Sequence, residues 1–179
     1  MRQQELNRLE AASEIIEEQL NQHLCFLQKQ IKNTKKLINE HIAQHPNLKE
    51  RQQLLASIPG IGEATLHVIL SEFSDVSRFR NAKALAAFIG VSPRIRQSGT
   101  SLPQRGLMSK MGRRALRKAF FMPALVALRF NPVLIEMKKR LLAAGKPKMT
   151  IVGAAMRKLV HLIYGVLKNK TPFEPYFAV

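Results

Sequence analysis

The first 45 residues contain neither glycine nor proline, and strong helix formers dominate them. Residues 3–45 are therefore predicted to form one long helix that ends at Pro46. A helix this long has too little core nearby to cover its apolar stripe, so we expect it to pair with another helix. The alternative is an ordinary amphipathic helix that packs on its own domain. The stripe has spacings of three, four and seven residues and consists of Leu20, Leu24, Leu27, Ile31 and Ile38.

The rest of the chain consists of shorter apolar helical segments separated by glycine and proline, and no segment alternates like a strand. We predict an all-α fold, in which a long coiled-coil-like N-terminal helix precedes a compact helical domain containing a helix-hairpin-helix. The predicted parts are a coiled-coil arm at 1–46, the helix-hairpin-helix at 47–75 and a basic helical region at 76–179.

Several residues mark where helices of the compact domain begin, bend or end. Ser77 or Asn81 is a candidate N-cap for a short helix that Gly90 would end. Pro123 is expected to kink a later helix, and Asn131-Pro132 should open the one after it.

Positive charge is concentrated in the second part of the chain. The formal net charge is +17 over 179 residues, yet residues 1–57 are close to neutral, with eight Lys/Arg against seven Asp/Glu. The stretch from Val76 to Ile135 holds twelve basic residues and no acidic residue. A field of one sign favours a polyanionic partner, with DNA as the first candidate and an anionic membrane surface as the second.

The same composition disfavours other chemistries. Magnesium-dependent phosphoryl transfer needs clustered carboxylates, which the basic region cannot supply. Cys25 is the single cysteine, so no intrachain disulfide is possible, and the five histidines are scattered. We expect no metal or cofactor in this chain. The N-terminus lacks the apolar core of a signal peptide, and no run reaches about eighteen apolar residues, so a cytoplasmic protein without a membrane partner is expected.

A short glycine-containing turn is predicted between two apolar helices. Its sequence is Ile-Pro-Gly-Ile-Gly, at positions 58–62. Both glycines permit positive φ, and the turn would leave backbone N–H groups free at the start of the second helix. We therefore expect Gly60, Ile61 and Gly62 to offer amides to a nucleic-acid phosphate. The alternative is a plain helical hairpin in which the glycines allow close packing.

A long irregular segment follows, from Val91 to Leu107, with Ser98-Gly99 near its middle. A serine hydroxyl can attack phosphorus and hold a broken strand as a phosphoserine. Arginine forks clamp phosphate oxygens and stabilise transition-state charge. Ser98 is therefore a candidate nucleophile, although a serine in a solvated basic loop is the simpler interpretation. The candidate phosphate-binding cations around and after it are Arg94, Arg96, Arg105, Lys110, Arg113, Arg114 and Arg117.

These motifs occur together and in order in a known family. The Pro-Gly-Ile-Gly turn, "LAAFIGVSPR", the Ser-Gly pair, "SKMGRRALRKA" and "NPVL" resemble the C-terminal transposase domain of DEDD-type insertion-sequence transposases, the insertion-sequence one-ten family. The resemblance covers roughly residues 50–170. It implies that Ser98 is the nucleophile of a DNA recombinase and that residues 3–45 match a coiled-coil arm that mediates homo-oligomerisation.

The resemblance also implies partners outside this sequence. Family members carry an N-terminal RuvC-like nuclease domain with a DEDD metal site, and some are guided by a structured bridge RNA. This chain begins within the arm, so the RuvC-like domain and its Mg²⁺ are expected to be missing here. The chain alone should then bind DNA without cutting it, as a truncated protein or a degenerate reading frame would.

Two other functions fit parts of the sequence. A non-catalytic helix-hairpin-helix accessory protein would bind DNA by the same charge, but it would not need Ser98. A basic peripheral membrane protein is weakly supported, because the positive charge lies in loops and helix starts without an aromatic-rich insertion face.

Overall fold

A computed structural model describes residues 1–10, 12–73, 75–94, 107–109 and 111–175. Helices make up almost all of the regular structure of these residues, which confirms the all-α prediction. In chain order the helices are α1 (Arg2–Leu9), α2 (Glu14–Gln44), α3 (Pro46–Ala56), α4 (Glu63–Phe73), α5 (Ala82–Ile89), α6 (Arg114–Ala119), α7 (Phe121–Phe130), α8 (Pro132–Ala143) and α9 (Lys148–Asn169). A 3₁₀ turn at Val76–Arg78 precedes α5.

Residues Met1–Pro46 form one compact unit, built from α1 and α2. The prediction of a single helix over 3–45 is wrong, because the helix is interrupted after Glu10. Ser13 has an extended backbone (φ −75°, ψ 153°) and serves as the N-cap residue of α2. The break lets α1 pack against α2, a tertiary contact that periodicity along one helix does not reveal.

The second unit, Asn47–Val179, is organised around α9. This helix packs against α5, α7 and α8, and eleven of its 22 residues are buried. By length and composition α9 could span a membrane, but 61% of its most apolar window is covered by the protein. That degree of burial is what a core helix of a folded domain requires. The bent pair formed by Arg114–Phe130 and Pro132–Ala143 is, taken together, also long and apolar enough to cross a membrane by length and composition.

The predicted helix boundaries are largely confirmed. Asn81 caps α5 by accepting a hydrogen bond from the Ala84 N–H at 2.9 Å, and Gly90 ends that helix in the left-handed conformation. Asn131 and Pro132 open α8 as expected. Near Pro123 the helix breaks at Phe120, because proline has no N–H to donate to the carbonyl of Ala119.

One small element was not predicted. Pro93–Arg94 (β1) pairs antiparallel with Leu107–Met108 (β2), although these residues show no strand-like alternation. A two-residue pairing carries no periodic signal, because alternation needs several residues to become visible.

Candidate nucleic-acid interface

The predicted glycine turn between α3 and α4 is present, but its two glycines differ. Gly60 has a positive φ of 107°, as expected, whereas Gly62 does not. The expectation of positive φ at Gly62 is therefore wrong. Gly62 instead starts α4, since its carbonyl accepts from the Leu66 N–H at 2.9 Å.

Gly60 is needed for close packing. A Cβ atom at this position would lie 2.6 Å from the Ala127 Cβ and 2.9 Å from the Ala127 Cα on α7. At Gly62 an added Cβ would meet no atom within 4 Å. The packing interpretation of the turn therefore holds for Gly60 and not for Gly62.

The Asn131 side chain also holds this turn in place, a role that was not predicted from the sequence. Its side chain is fully buried, and its Nδ2 donates to the Pro59 carbonyl at 3.4 Å. Its Oδ1 accepts from the Val133 and Leu134 N–H groups and so caps α8. An asparagine before a proline signals a cap, but only the folded chain brings it to a turn 72 residues away.

These contacts reduce the number of backbone N–H groups in the turn that a phosphate could bind. The Ile61 N–H already donates to the Ile58 carbonyl at 3.1 Å. The first turn of α4 has N–H groups without an intrahelical acceptor, as every helix start does. Glu63 places a carboxylate in that first turn, and a negative charge there repels an incoming phosphate.

The neck of the serine-bearing segment is the second part of the candidate interface. It is formed by Ser92–Arg94 and Leu107–Ser109, where the β1–β2 pairing is extended by a 2.8 Å hydrogen bond from the Ser109 N–H to the Ser92 carbonyl. The chain therefore leaves and re-enters the domain at adjacent points. Ser98, Arg96, Arg105 and Lys110 lie outside the described residues, whereas Arg94 lies in β1 and is exposed.

Two glycines close the base of this neck. Gly112 has a φ of 144°, and a Cβ there would lie 2.6 Å from the Gly90 nitrogen and 2.7 Å from the Phe88 carbonyl oxygen. The Arg113 N–H donates to the same Phe88 carbonyl at 3.2 Å. The end of α5 and the start of α6 are thus held backbone to backbone.

The arginines at the start of α6 have different surroundings. Arg113 forms an ion pair with Glu72 of α4, and its guanidinium lies 5.2 Å from the centre of the Phe88 ring. Arg117 lies over Gly90, since its Nη1 would be 2.7 Å from a Cβ added there. Arg114 is exposed. Glu72 was not identified from the sequence, because it belongs to another helix and lies 41 positions away.

Carboxylates near this surface have local roles. Asp75 is the last acidic residue before the acid-free stretch, and its Oδ1 accepts from the Ser77 N–H at 3.0 Å. Its hydrogen bonds with Ser77 hold the pKa of the Asp75 carboxyl below its usual value. Among the described residues, no three His, Cys, Asp or Glu side chains are grouped to hold a metal ion. The described part of the chain therefore does not fit a magnesium site.

Comparison with known proteins identifies related sequences. Residues 52–139 match the family described as Transposase IS116/IS110/IS902 family. This region includes the glycine turn, the neck and α6.

Several curated proteins are similar over a longer region. The chain is 41% identical over 130 residues to a pilin gene-inverting protein of Moraxella bovis, which covers 72% of this chain and 40% of that protein. A pilin gene-inverting protein of Moraxella lacunata matches with the same identity and coverage. An IS110 insertion element protein of Streptomyces coelicolor is 28% identical over 137 residues, which covers 76% of this chain and 33% of that protein. The chain thus spans about 40% of the length of the first of these relatives.

Proposed function

The chain carries a transposase domain of the IS116/IS110/IS902 family over residues 52–139, and from this premise we propose that it is the DNA-binding, serine-bearing part of a recombinase. Whole proteins similar to it include pilin gene-inverting proteins. The proposed reaction of the complete protein is cutting and rejoining of DNA through a phosphoserine link. We propose that it acts on DNA in the cytoplasm.

One observation carries the proposal of DNA binding. The acid-free stretch from Val76 to Ile135, with its twelve cations, lies within the region that matches the transposase family. Cations without interspersed acids attract the phosphate backbone irrespective of base sequence. Arg94 and Arg114 are described cations of this stretch with exposed side chains.

A salt titration with duplex DNA tests this binding. If six phosphates are neutralised, the logarithm of the binding constant should fall with a slope of roughly −5 against the logarithm of the salt concentration. Lys36→Ala is a matched control, because Lys36 lies in the nearly neutral arm and pairs with Glu40; it should leave the slope unchanged. Binding that does not depend on salt would remove the nucleic-acid proposal.

Ser98 is proposed as the nucleophile on the strength of the family resemblance. Its hydroxyl oxygen would lose its proton and bond to phosphorus while the P–O ester bond of the strand breaks, and the departing sugar oxygen would take up a proton. Attack by a second sugar hydroxyl would reverse the step, restore the serine and join a new strand. Arg94 lies at the start of the serine-bearing segment, beside the paired neck. Its positive charge supports the binding of a scissile phosphate next to Ser98.

The test uses a full-length family member that carries this domain. Ser98→Ala should abolish strand exchange while DNA binding persists, and Ser101→Ala should have a much smaller effect. A nicked suicide substrate should trap a covalent adduct that mass spectrometry assigns to Ser98. An active Ser98→Ala protein, or an adduct on another residue, would overturn the assignment of Ser98 as the nucleophile.

Two further partners are proposed. Self-association through α2 would follow from its apolar stripe, of which Ile31 is 44% exposed. A guide RNA is a candidate by family resemblance, and it would use the same cationic surface as DNA.

A further inference from the structure

A groove runs along the C-terminal half of α9, and its lining residues are not part of the neck. The groove is partly open to solvent and has a volume of about 720 Å³, within the size range of small-molecule sites. Leu162, Gly165 and Val166 form its apolar floor, at the spacing of one helix face. Residues 171–174 also line the groove. A Cβ added at Gly165 would meet no atom within 4 Å, so the space above this glycine is open.

His161 is the polar group that the protein leaves unsatisfied in this groove. Its Nε2 is buried and has no hydrogen-bond partner among the described residues. A buried polar atom without a partner is costly, and such atoms commonly bond to water or to a ligand. Burial lowers the pKa of the His161 ring, and the charges of Arg157, Lys158 and Lys83 lower it further. The imidazole is therefore neutral at pH 7, and its Nε2 can donate or accept depending on the tautomer.

The groove is lined by both charged and aromatic side chains. Lys158 lines it one turn before His161, so the ammonium group and the imidazole lie on the same face of α9. Phe173 also lines the groove. The backbone of Phe173 is held in place, because its N–H donates to the Ser57 Oγ at 2.7 Å. The Ser57 hydroxyl in turn donates to the Leu54 carbonyl at 2.6 Å.

A nucleotide combines the features that this groove would recognise. Its base has a flat apolar face for Phe173 and the floor of α9, and a polar edge for His161. Its phosphate carries the negative charge that Lys158 attracts. A glutamate, Glu174, also lines the groove, and it disfavours a purely anionic ligand that would fill the whole space.

We propose that this groove, called here the α9 groove, binds one unpaired nucleotide of a nucleic-acid strand. The base would lie between Phe173 and the floor at Gly165, with its phosphate near Lys158. Its polar edge would meet the His161 ring, which must turn toward the groove because its Nε2 is enclosed by the protein. The inference rests on the proposed function only in that nucleic acid is the partner. It adds a site for a single unstacked base to a surface that otherwise binds backbone phosphates.

The experiment uses the full chain and a single-stranded oligonucleotide that contains the fluorescent base 2-aminopurine. Stacking of this base in the groove should change its fluorescence on binding. Gly165→Leu fills the space without removing a charge, and leucine favours the helix more than glycine does. This variant should lower single-strand affinity by about tenfold and abolish the fluorescence change, because stacking of one base has an effect of that order.

Duplex DNA of the same sequence is the matched control. Gly165→Leu should bind duplex as the unmodified protein does, because its bases remain stacked. If the unmodified protein binds neither form, the proposed function fails. If it binds both forms but Gly165→Leu is unchanged toward the single strand, only the α9 groove proposal is overturned.

Competition by small molecules shows whether the groove recognises a base or only a phosphate. Deoxyadenosine monophosphate and adenosine monophosphate should compete for the groove, and Lys158→Gln should weaken both. Inorganic phosphate should compete far less well. Equal competition by phosphate would overturn the proposal, because it would show an anion site that does not recognise a base.

Discussion

At the scale of single residues, the fold uses neighbouring glycines for different purposes. Gly60 has a positive φ and lies against Ala127, so both its conformation and its lack of a side chain matter. Gly62 has neither constraint. Gly112 resembles Gly60, because its backbone is in contact with Gly90. Glycine identity in a turn therefore does not by itself indicate an amide that is open to phosphate.

This difference predicts unequal effects of alanine. Gly60→Ala should lower the free energy of unfolding by about 2 kcal/mol, because the new Cβ clashes with α7 and the backbone is strained. Gly62→Ala should cost less than about 1 kcal/mol, through its position at the start of α4. Urea denaturation of both variants measures the comparison. Equal losses would show that the turn is not pressed against α7.

His161 predicts a pH dependence of stability. The folded protein binds a proton on this ring less readily than the unfolded chain, whose pKa is near 6.5. The unfolded state therefore binds more protons below that pH, and stability should fall as the pH drops through 6.5 and level off below the folded-state pKa. The charges that act on the ring are those of Arg157 and Lys158 on α9 and Lys83 on α5. Glu174 lines the same groove.

The matched variant for this prediction is His161→Gln, which cannot titrate. Its free energy of unfolding, measured between about pH 8 and about pH 5, should fall less than that of the unmodified protein. Parallel pH profiles for the two proteins would show that other groups are responsible.

At the scale of elements, the start of α6 connects three parts of the domain. Arg113 binds Glu72 of α4 through its side chain and Phe88 of α5 through its backbone N–H and its guanidinium. This residue was predicted as a phosphate-binding cation, yet its charge is already balanced by a carboxylate. Arg114, the next residue, is exposed.

The two arginines should therefore differ in DNA binding. Arg114→Ala should make the salt slope shallower by about 1, which corresponds to the loss of one phosphate contact. Arg113→Ala should change the slope by less than about 0.3, because Glu72 occupies its guanidinium. Salt titrations with one duplex compare them directly. Equal changes in slope would mean that Arg113 leaves Glu72 when DNA binds.

At the scale of the whole molecule, the change from a nearly neutral to a basic sequence falls close to the boundary between the two compact units. The compact unit Met1–Pro46 is nearly neutral, whereas Asn47–Val179 carries most of the net charge. A polyanion would therefore be attracted to the second unit more than to the first. On α2, Leu24 is buried, while Ile31 remains 44% exposed.

Self-association through the apolar stripe of α2 is expected. Sedimentation of the unmodified chain should give a mass above the monomer mass of 20.3 kDa, and Ile31→Asp should shift it toward the monomer, because a buried unpaired carboxylate is costly. Phe26→Asp is the control, since Phe26 is exposed but lies off the stripe. A monomeric unmodified chain would show that the stripe serves the fold of the arm alone.

Local chemistry determined much of this protein at the level of sequence. Helix content, the Asn81 and Asn131 caps, the end of α5 at Gly90 and the break near Pro123 all follow from interactions within about four residues of one another. Such interactions are present wherever the short sequence occurs. The all-α class was therefore predictable. Residues 52–139 match the transposase family that the ordered motifs resemble.

Only tertiary structure decided which groups meet across long separations. The Asn131–Pro59 hydrogen bond, the Gly60–Ala127 packing and the Arg113–Glu72 ion pair each join residues more than 40 positions apart, and the break between α1 and α2 accompanies their mutual packing. The α9 groove likewise depends on a residue distant in sequence, because the Ser57 hydroxyl holds Phe173 beside a face of α9. These features depend on how helices pack. Periodicity indicates which face of a helix is apolar but not which partner covers it.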